Sequence, residues 1–140
     1  PLTAAASADP IVDLARELMA QGKIDYLDMS LWDYRKEPVE EAFQGRSLMS
    51  YFTELERGTT RLGVAGKIVR PEHARQALAA GADFVLLGRA AILNHDFPVR
   101  AAKPDFEPTR LPVTRAHLAA EGLGQAFIDY MATWPKFVAD

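Results

Sequence analysis

The stretch VAGKIVRPEHARQALAAGADFVLLGRA, Val64–Ala90, carries the fold in its punctuation. An apolar run ends at Gly66. Pro71, preceded by Arg70 at the cap position, opens a helix whose small apolar face is Ala74, Ala77 and Leu78. Gly81 closes that helix. A second apolar run, DFVLLG from Asp83, ends at Gly88, and Arg89 starts a further short helix through Leu93. Strand, helix and strand in this order form a parallel β-α-β unit.

The same rhythm extends outward. Asp9-Pro10 reads as an N-cap with proline at the first helical position, and Ile11, Leu14, Ala15, Leu18 and Met19 give that helix one apolar face. Gly22 stops it. KIDYLDMSL, residues 23–31, is short, apolar and bounded by turn signals, so it reads as a strand. Pro38 opens a short helical turn, and SLMSYFTELER, residues 47–57, reads as a helix with Leu48, Met49, Phe52 and Leu55 on one side. RLGVAG, residues 61–66, is the next strand. Three prolines between Pro104 and Pro112 mark a loop. A last helix is expected from about Leu123 to Trp134, with Leu123, Phe127, Tyr130, Met131 and Trp134 on one face and Pro135 as its stop.

Bulk composition narrows the class. A chain of 140 residues suggests one domain, and 49% hydrophobic with 25% charged residues is ordinary for a globular protein. The net charge of −3, with no basic run, argues against nucleic acid as a partner. No stretch of about 18 apolar residues could span a membrane. Residues 1–10 have neither a basic nor an apolar segment of the signal-peptide kind. Cysteine is absent, which suits a cytoplasmic setting and excludes disulfides and thiolate metal sites. The three histidines are scattered and do not form a metal site.

In parallel β/α proteins the loops at the carboxyl ends of the strands hold ligands. Gly66 and Gly88 both fall there. Glycine lets backbone N–H groups approach an anion, a helix start attracts negative charge, and Arg89 adds a charged donor. Lys67 supplies a second cation. The two glycines either hold a phosphate together or are simply tight turns; the pairing in successive turns, with arginine and a helix after the second, favours phosphate.

YLDMSLWD (Tyr26–Asp33), the long segment from Val64 to Ala101 and the closing AFIDYMATWPKFV (Ala126–Val138) resemble the C-terminal part of the Old Yellow Enzyme family, from about residue 9 onward. These are FMN-dependent NAD(P)H:flavin oxidoreductases and ene-reductases on a TIM barrel. The resemblance implies an α/β chain forming strands 6 to 8 of a (β/α)8 barrel with a C-terminal helical tail. It implies FMN as cofactor and NADH or NADPH as electron donor. Ala65, Gly66 and Lys67 would be one phosphate-binding turn and Gly88 with Arg89 the other. The family commonly has another glycine or a different residue where Lys67 stands. Trp32 and Tyr34 would border the substrate side of the flavin, or Trp32 would pack the loop after its strand.

A complete barrel takes about 250 residues, so the chain is expected to be a fragment of a longer oxidoreductase. The substrate-orienting residues and the proton donor would lie elsewhere, and the open sheet edges would be covered by the N-terminal part of the barrel or by another copy. A non-enzymatic half-barrel and a sugar-phosphate barrel enzyme are the alternatives. Asp28 in mid-strand and Asp83 at a strand start read as structural. His73 reads as solvated and His95 as a base or, preferably, a loop or cap residue. His117 has no partner legible in the sequence.

Overall fold

The computed structural model describes residues 10–139; the Asp9 cap lies outside them. The described elements are α1 (Pro10–Ala20), β1 (Tyr26–Ser30), a short 3-10 helix (Glu41–Phe43), α2 (Ser50–Thr53), β2 (Arg61–Ala65), α3 (Pro71–Ala79) and β3 (Phe84–Val85). They are followed by α4 (Arg89–Leu93), α5 (Phe97–Arg100), α6 (Arg115–Ala120) and α7 (Gln125–Ala132). The strands form one parallel sheet in the order β1-β2-β3. The chain is therefore α/β, as its punctuation indicates. No described helix is long and apolar enough to cross a membrane.

The described residues divide into two compact units. One unit takes in the chain up to Ile68 with Ala74–Leu86; the other takes in Val69–His73 and the chain from Leu87 onward. Each has its own apolar centre, which is what makes it compact.

In the first unit β2 is the middle strand. Leu62 pairs beside Leu27, and Val64 beside Met29 and Val85. Neighbours in a parallel register share a face, so these residues form one apolar side of the sheet. Leu62 and Val64 are both 0% exposed, and Met29 is buried with Val12, Ala15, Met19, Met49 and Phe52 from the helical segments. The ladder extends past the short β3, through Asp83 N–H to Leu62 O at 2.8 Å and Leu86 N–H to Val64 O at 2.9 Å. Gly22 ends α1 at φ 62°, where its N–H donates to Met19 O.

The other sheet face is different. Tyr26, 60% exposed, lies edge-on to Phe84 with centroids 5.8 Å apart. Gly63 sits between the two strands they belong to, and a Cβ there would lie 2.4 Å from the Phe84 ring. Missing side-chain volume on β2 thus makes room for an aromatic from β3. The outer edge of β1 has no strand partner among the described residues. Beside it runs an open cavity of about 380 Å³, lined by Ile11, Leu14 and Leu18 of α1, by Leu27 and Met29 of β1, and by Phe52.

In the second unit Leu93, Val113, Leu118, Ile128, Met131 and Phe137 form the core. Ahead of the expected last helix the chain forms another, α6, whose cap Thr114 Oγ1 accepts the His117 N–H at 3.1 Å. Of the face expected on the last helix, Met131 is buried in this core and Leu123 packs against it, while the aromatics do not enter it. Ile128 and Met131 point inward, while Phe127, Tyr130 and Trp134 are exposed and lie against one another at centroid separations of 5.9 Å. Both sets have helical spacing; the smaller aliphatic pair fits the gap beside Leu118. The helix expected over 47–57 is shortened to the single turn of α2.

Since Leu62 is fully enclosed, Leu62→Ala should leave a cavity and lower stability by about 2–5 kcal/mol. A urea unfolding curve measures it: a midpoint like that of the native chain would show that β2 is not the centre of the first unit.

Candidate functional site

The first unit brings the end of β2 against the loop that follows β1. Leu31 N–H donates to Ala65 O at 3.0 Å, and Tyr34 N–H donates to Gly66 O at 3.2 Å. Gly66 has φ 142°, and a Cβ on it would stand 2.6 Å from Leu31 O and 2.9 Å from Tyr34 N. Both are backbone atoms of residues whose N–H groups are held by these hydrogen bonds. Glycine is therefore required at 66 by the approach of another segment of the chain.

Lys67 follows in a left-handed conformation, φ 50°, uncommon for a residue with a side chain. Its Nζ lies 3.6 Å from Asp33 Oδ2. Asp33 also accepts from Arg35, at Oδ1 from the backbone N–H (3.0 Å) and Nε (3.1 Å), and at Oδ2 from Nη2 (3.2 Å). The Arg35 side-chain hydrogen bonds, more than partial burial opposes them, hold the Asp33 carboxyl at about 2, well below the usual carboxylate range.

Trp32 and Tyr34, expected on the substrate side together, are placed differently. Trp32 is 78% exposed. Tyr34 is buried, and its hydroxyl donates to Gln76 Oε1 of α3 at 2.6 Å. That bond commits the phenol to holding α3.

The second unit begins its own turn at Gly88 and Arg89. Both are exposed, and a Cβ on Gly88 would have open space around it. Gly88 O accepts the N–H groups of Ala91 (3.0 Å) and Ile92 (3.2 Å), which starts α4. Gly88, the N-cap of α4, has no side chain with which to cap the first N–H groups of the helix.

The remaining ionisable candidates have structural partners. Asp83 Oδ2 accepts the Leu62 N–H at 2.8 Å and pairs with Arg57 at 3.1 Å, fastening β3 to β2. His73 Nδ1 accepts the Val69 N–H at 3.4 Å. His117 Nε2 lies 2.9 Å from Leu93 O and ties α6 to the end of α4. His95 bonds Glu121 Oε2 through both its backbone N–H (2.8 Å) and its ring Nδ1 (2.7 Å). Asp28 is exposed on the outer strand.

His95, Asp96 and Glu121 put ligand-type atoms within 4.8 Å of one another. Arg100 already joins the group, from Nε to Asp96 Oδ1 at 2.6 Å and from Nη2 to Glu121 Oε1 at 3.5 Å. Burial pushes the Glu121 carboxyl up, but the bonds from His95 and the Arg100 charge outweigh it and hold the group below the usual range. The cluster is thus a closed ion-pair network.

Sequence reading missed Asn94. It is 0% exposed; its Nδ2 donates to Ala90 O at 3.2 Å, and its Oδ1 accepts from Thr109 N (3.2 Å) and Oγ1 (2.9 Å). One side chain therefore ends α4 and pins the proline-rich loop. An asparagine directly after the apolar end of a helix is the signal that could have found it.

Two outcomes follow from the first unit's loops. Gly66→Ala should cost about 2–3 kcal/mol, from strain at positive φ and from backbone overlap; an unchanged thermal midpoint would contradict the close approach. The Asp33 ion pairs stabilise the fold above the ordinary value of 3.8 and are lost as pH falls from there towards about 2. Asp33→Asn should therefore be less stable than the native chain at pH 6, and the two unfolding curves should converge near pH 2.

No protein-family model, no curated protein and no solved structure matches this chain, so the functional reading rests on its own residues and motifs.

Proposed function

We propose that this chain is the C-terminal part of an FMN-dependent NAD(P)H oxidoreductase of the Old Yellow Enzyme type, and that it supplies turns that hold the flavin phosphate. The observation that carries the reading is a repeated β-turn-α pattern. The chain leaves β2 and β3, neighbours in a parallel sheet, through Gly66-Lys67 and Gly88-Arg89, at the edge where such sheets hold ligands. Of the residues named from the sequence, Gly88 and Arg89 suit a phosphate best. The turn is exposed, the helix start has no side-chain cap, and the guanidinium is a charge-assisted donor. The resemblance gives the same kind of role to Ala65, Gly66 and Lys67 of the first unit, through backbone N–H groups and the Lys67 ammonium.

The outer edge of β1, without a strand partner among the described residues, and the exposed Tyr26 support a slice of a barrel. All-parallel sheets are normally covered on both faces, and closure into a barrel removes sheet edges. In this reading β1, β2 and β3 are strands 6, 7 and 8. Bound FMN would supply hydride transfer from NAD(P)H to a small acceptor such as an activated alkene. The residues of this chain bind and orient the phosphate end, and exposed Trp32 offers a flat apolar surface on the substrate side.

Flavin absorbance of the purified protein, followed by titration with FMN, tests the reading. Uptake of FMN supports it. A folded, colourless protein that takes up no FMN would leave a non-enzymatic half-barrel, and equal binding of sugar phosphates would point to another phosphate-binding barrel enzyme. Arg89→Ala removes a charged hydrogen bond and should weaken FMN binding by tenfold or more, about 1.5–3 kcal/mol. Equal affinity in the variant would take Arg89 out of the site.

A further inference from the structure

Two cations of the first unit converge on one carboxylate at the carboxyl edge of the sheet. Arg35 reaches Asp33 through Nε at 3.1 Å and Nη2 at 3.2 Å, and Lys67 reaches it through Nζ at 3.6 Å. The cations come from different loops, one after β1 and one after β2. The Asp33 side chain is only 17% exposed, while those of Arg35 and Lys67 are 52% and 43% exposed. The carboxylate thus sits inside a pair of cations that remain accessible from solvent. The left-handed backbone at Lys67 starts that side chain from the turn itself.

We propose that Asp33 is a built-in competitor for anions at the Lys67 turn: its carboxylate fills the place of a phosphate oxygen, and a phosphate dianion binds by drawing Lys67 away from it. The proposal rests on reading Ala65–Lys67 as an anion-holding turn. It adds a competing contact to that turn: the Lys67–Asp33 ion pair is made only while the anion is absent, and the loop itself stays in place through its backbone bonds to Ala65 and Gly66. Phosphate carries more charge than a carboxylate and more acceptor oxygens, so it can displace Asp33 at sufficient concentration. Arg35 remains on Asp33 through its backbone and side-chain bonds, and the carboxylate keeps a partner after the exchange.

Inorganic phosphate is the probe, titrated into the native chain, Asp33→Asn and the double variant Asp33→Asn with Lys67→Met, at low salt and at 0.15 M salt. Removing the competing charge should tighten phosphate binding about fivefold at low salt, and less at 0.15 M because the contact is screened. The gain should vanish in the double variant. Asp33→Ser, which keeps an acceptor for the Arg35 N–H, repeats the comparison should asparagine disturb the loop. Affinity unchanged or weakened in folded variants would overturn the proposal. So would a gain that persists without Lys67, or absence of phosphate binding in every protein. Phosphate binding that follows this pattern without any FMN uptake would uphold the competitor and remove the flavin. FMN uptake with phosphate affinity indifferent to Asp33 would do the reverse.

Discussion

The first unit depends on β2 being hydrogen-bonded on both sides. A middle strand in a parallel sheet has its backbone polar groups satisfied by its neighbours and can be enclosed in apolar side chains. That is why Leu62 and Val64 are fully buried, and why Gly63 between them can be a glycine without loosening the sheet. The alternation places Gly63 on the opposite face, where the Phe84 ring takes its volume. The same strand fixes the loops beyond it. Its last residues accept from Leu31 and Tyr34, so the loop after β1 cannot move independently of the turn after β2. Asp83 and Arg57 reinforce the start of the ladder on the β3 side.

Much of this frame was legible because it is written in punctuation and periodicity. Pro10, Gly22, Pro71 and Gly81 mark helix ends that the structure places within a residue or two. The strands were legible as apolar runs, and only their ends moved, since pairing decides where a strand stops. The two cores that divide the chain were not legible, because nothing in the sequence near residue 69 or 87 resembles a linker. Which residues of α7 pack inside the unit was not legible for a different reason. Period 3.6 identifies which residues share a face, but Phe127-Tyr130-Trp134 and Ile128-Met131 are both apolar sets. Which set turns inward is settled by the volume available beside Leu118 and Phe137, and that is a tertiary quantity.

The site residues separate in the same way. The turns at Gly66 and Gly88-Arg89 were legible from residue type and position, because both follow apolar runs of strand length. Partners could not be read. His117 finds Leu93 O, 24 residues away in the chain, and Tyr34 finds Gln76, 42 residues away. Asp83 was legible as structural, since a carboxylate at the amino end of a strand lies away from the ligand edge, and its bond to the Leu62 N–H gives that role a geometry.

The two glycines, alike in sequence, answer to different physical demands, and the difference bears on how an anion would be held. Gly66 is required because Leu31 O and Tyr34 N occupy the space a side chain would need. A glycine here would be selected even in a protein that binds nothing, so its presence argues for tight loop packing before it argues for a ligand. Gly88 meets no neighbouring atom in that position and has negative φ, so neither crowding nor a left-handed turn demands it. What distinguishes Gly88 is openness at an uncapped helix start followed by an exposed arginine. The chemical weight of a phosphate-binding reading therefore falls on Gly88-Arg89. The Gly66 turn enters chiefly through Lys67, whose ammonium already has a carboxylate beside it.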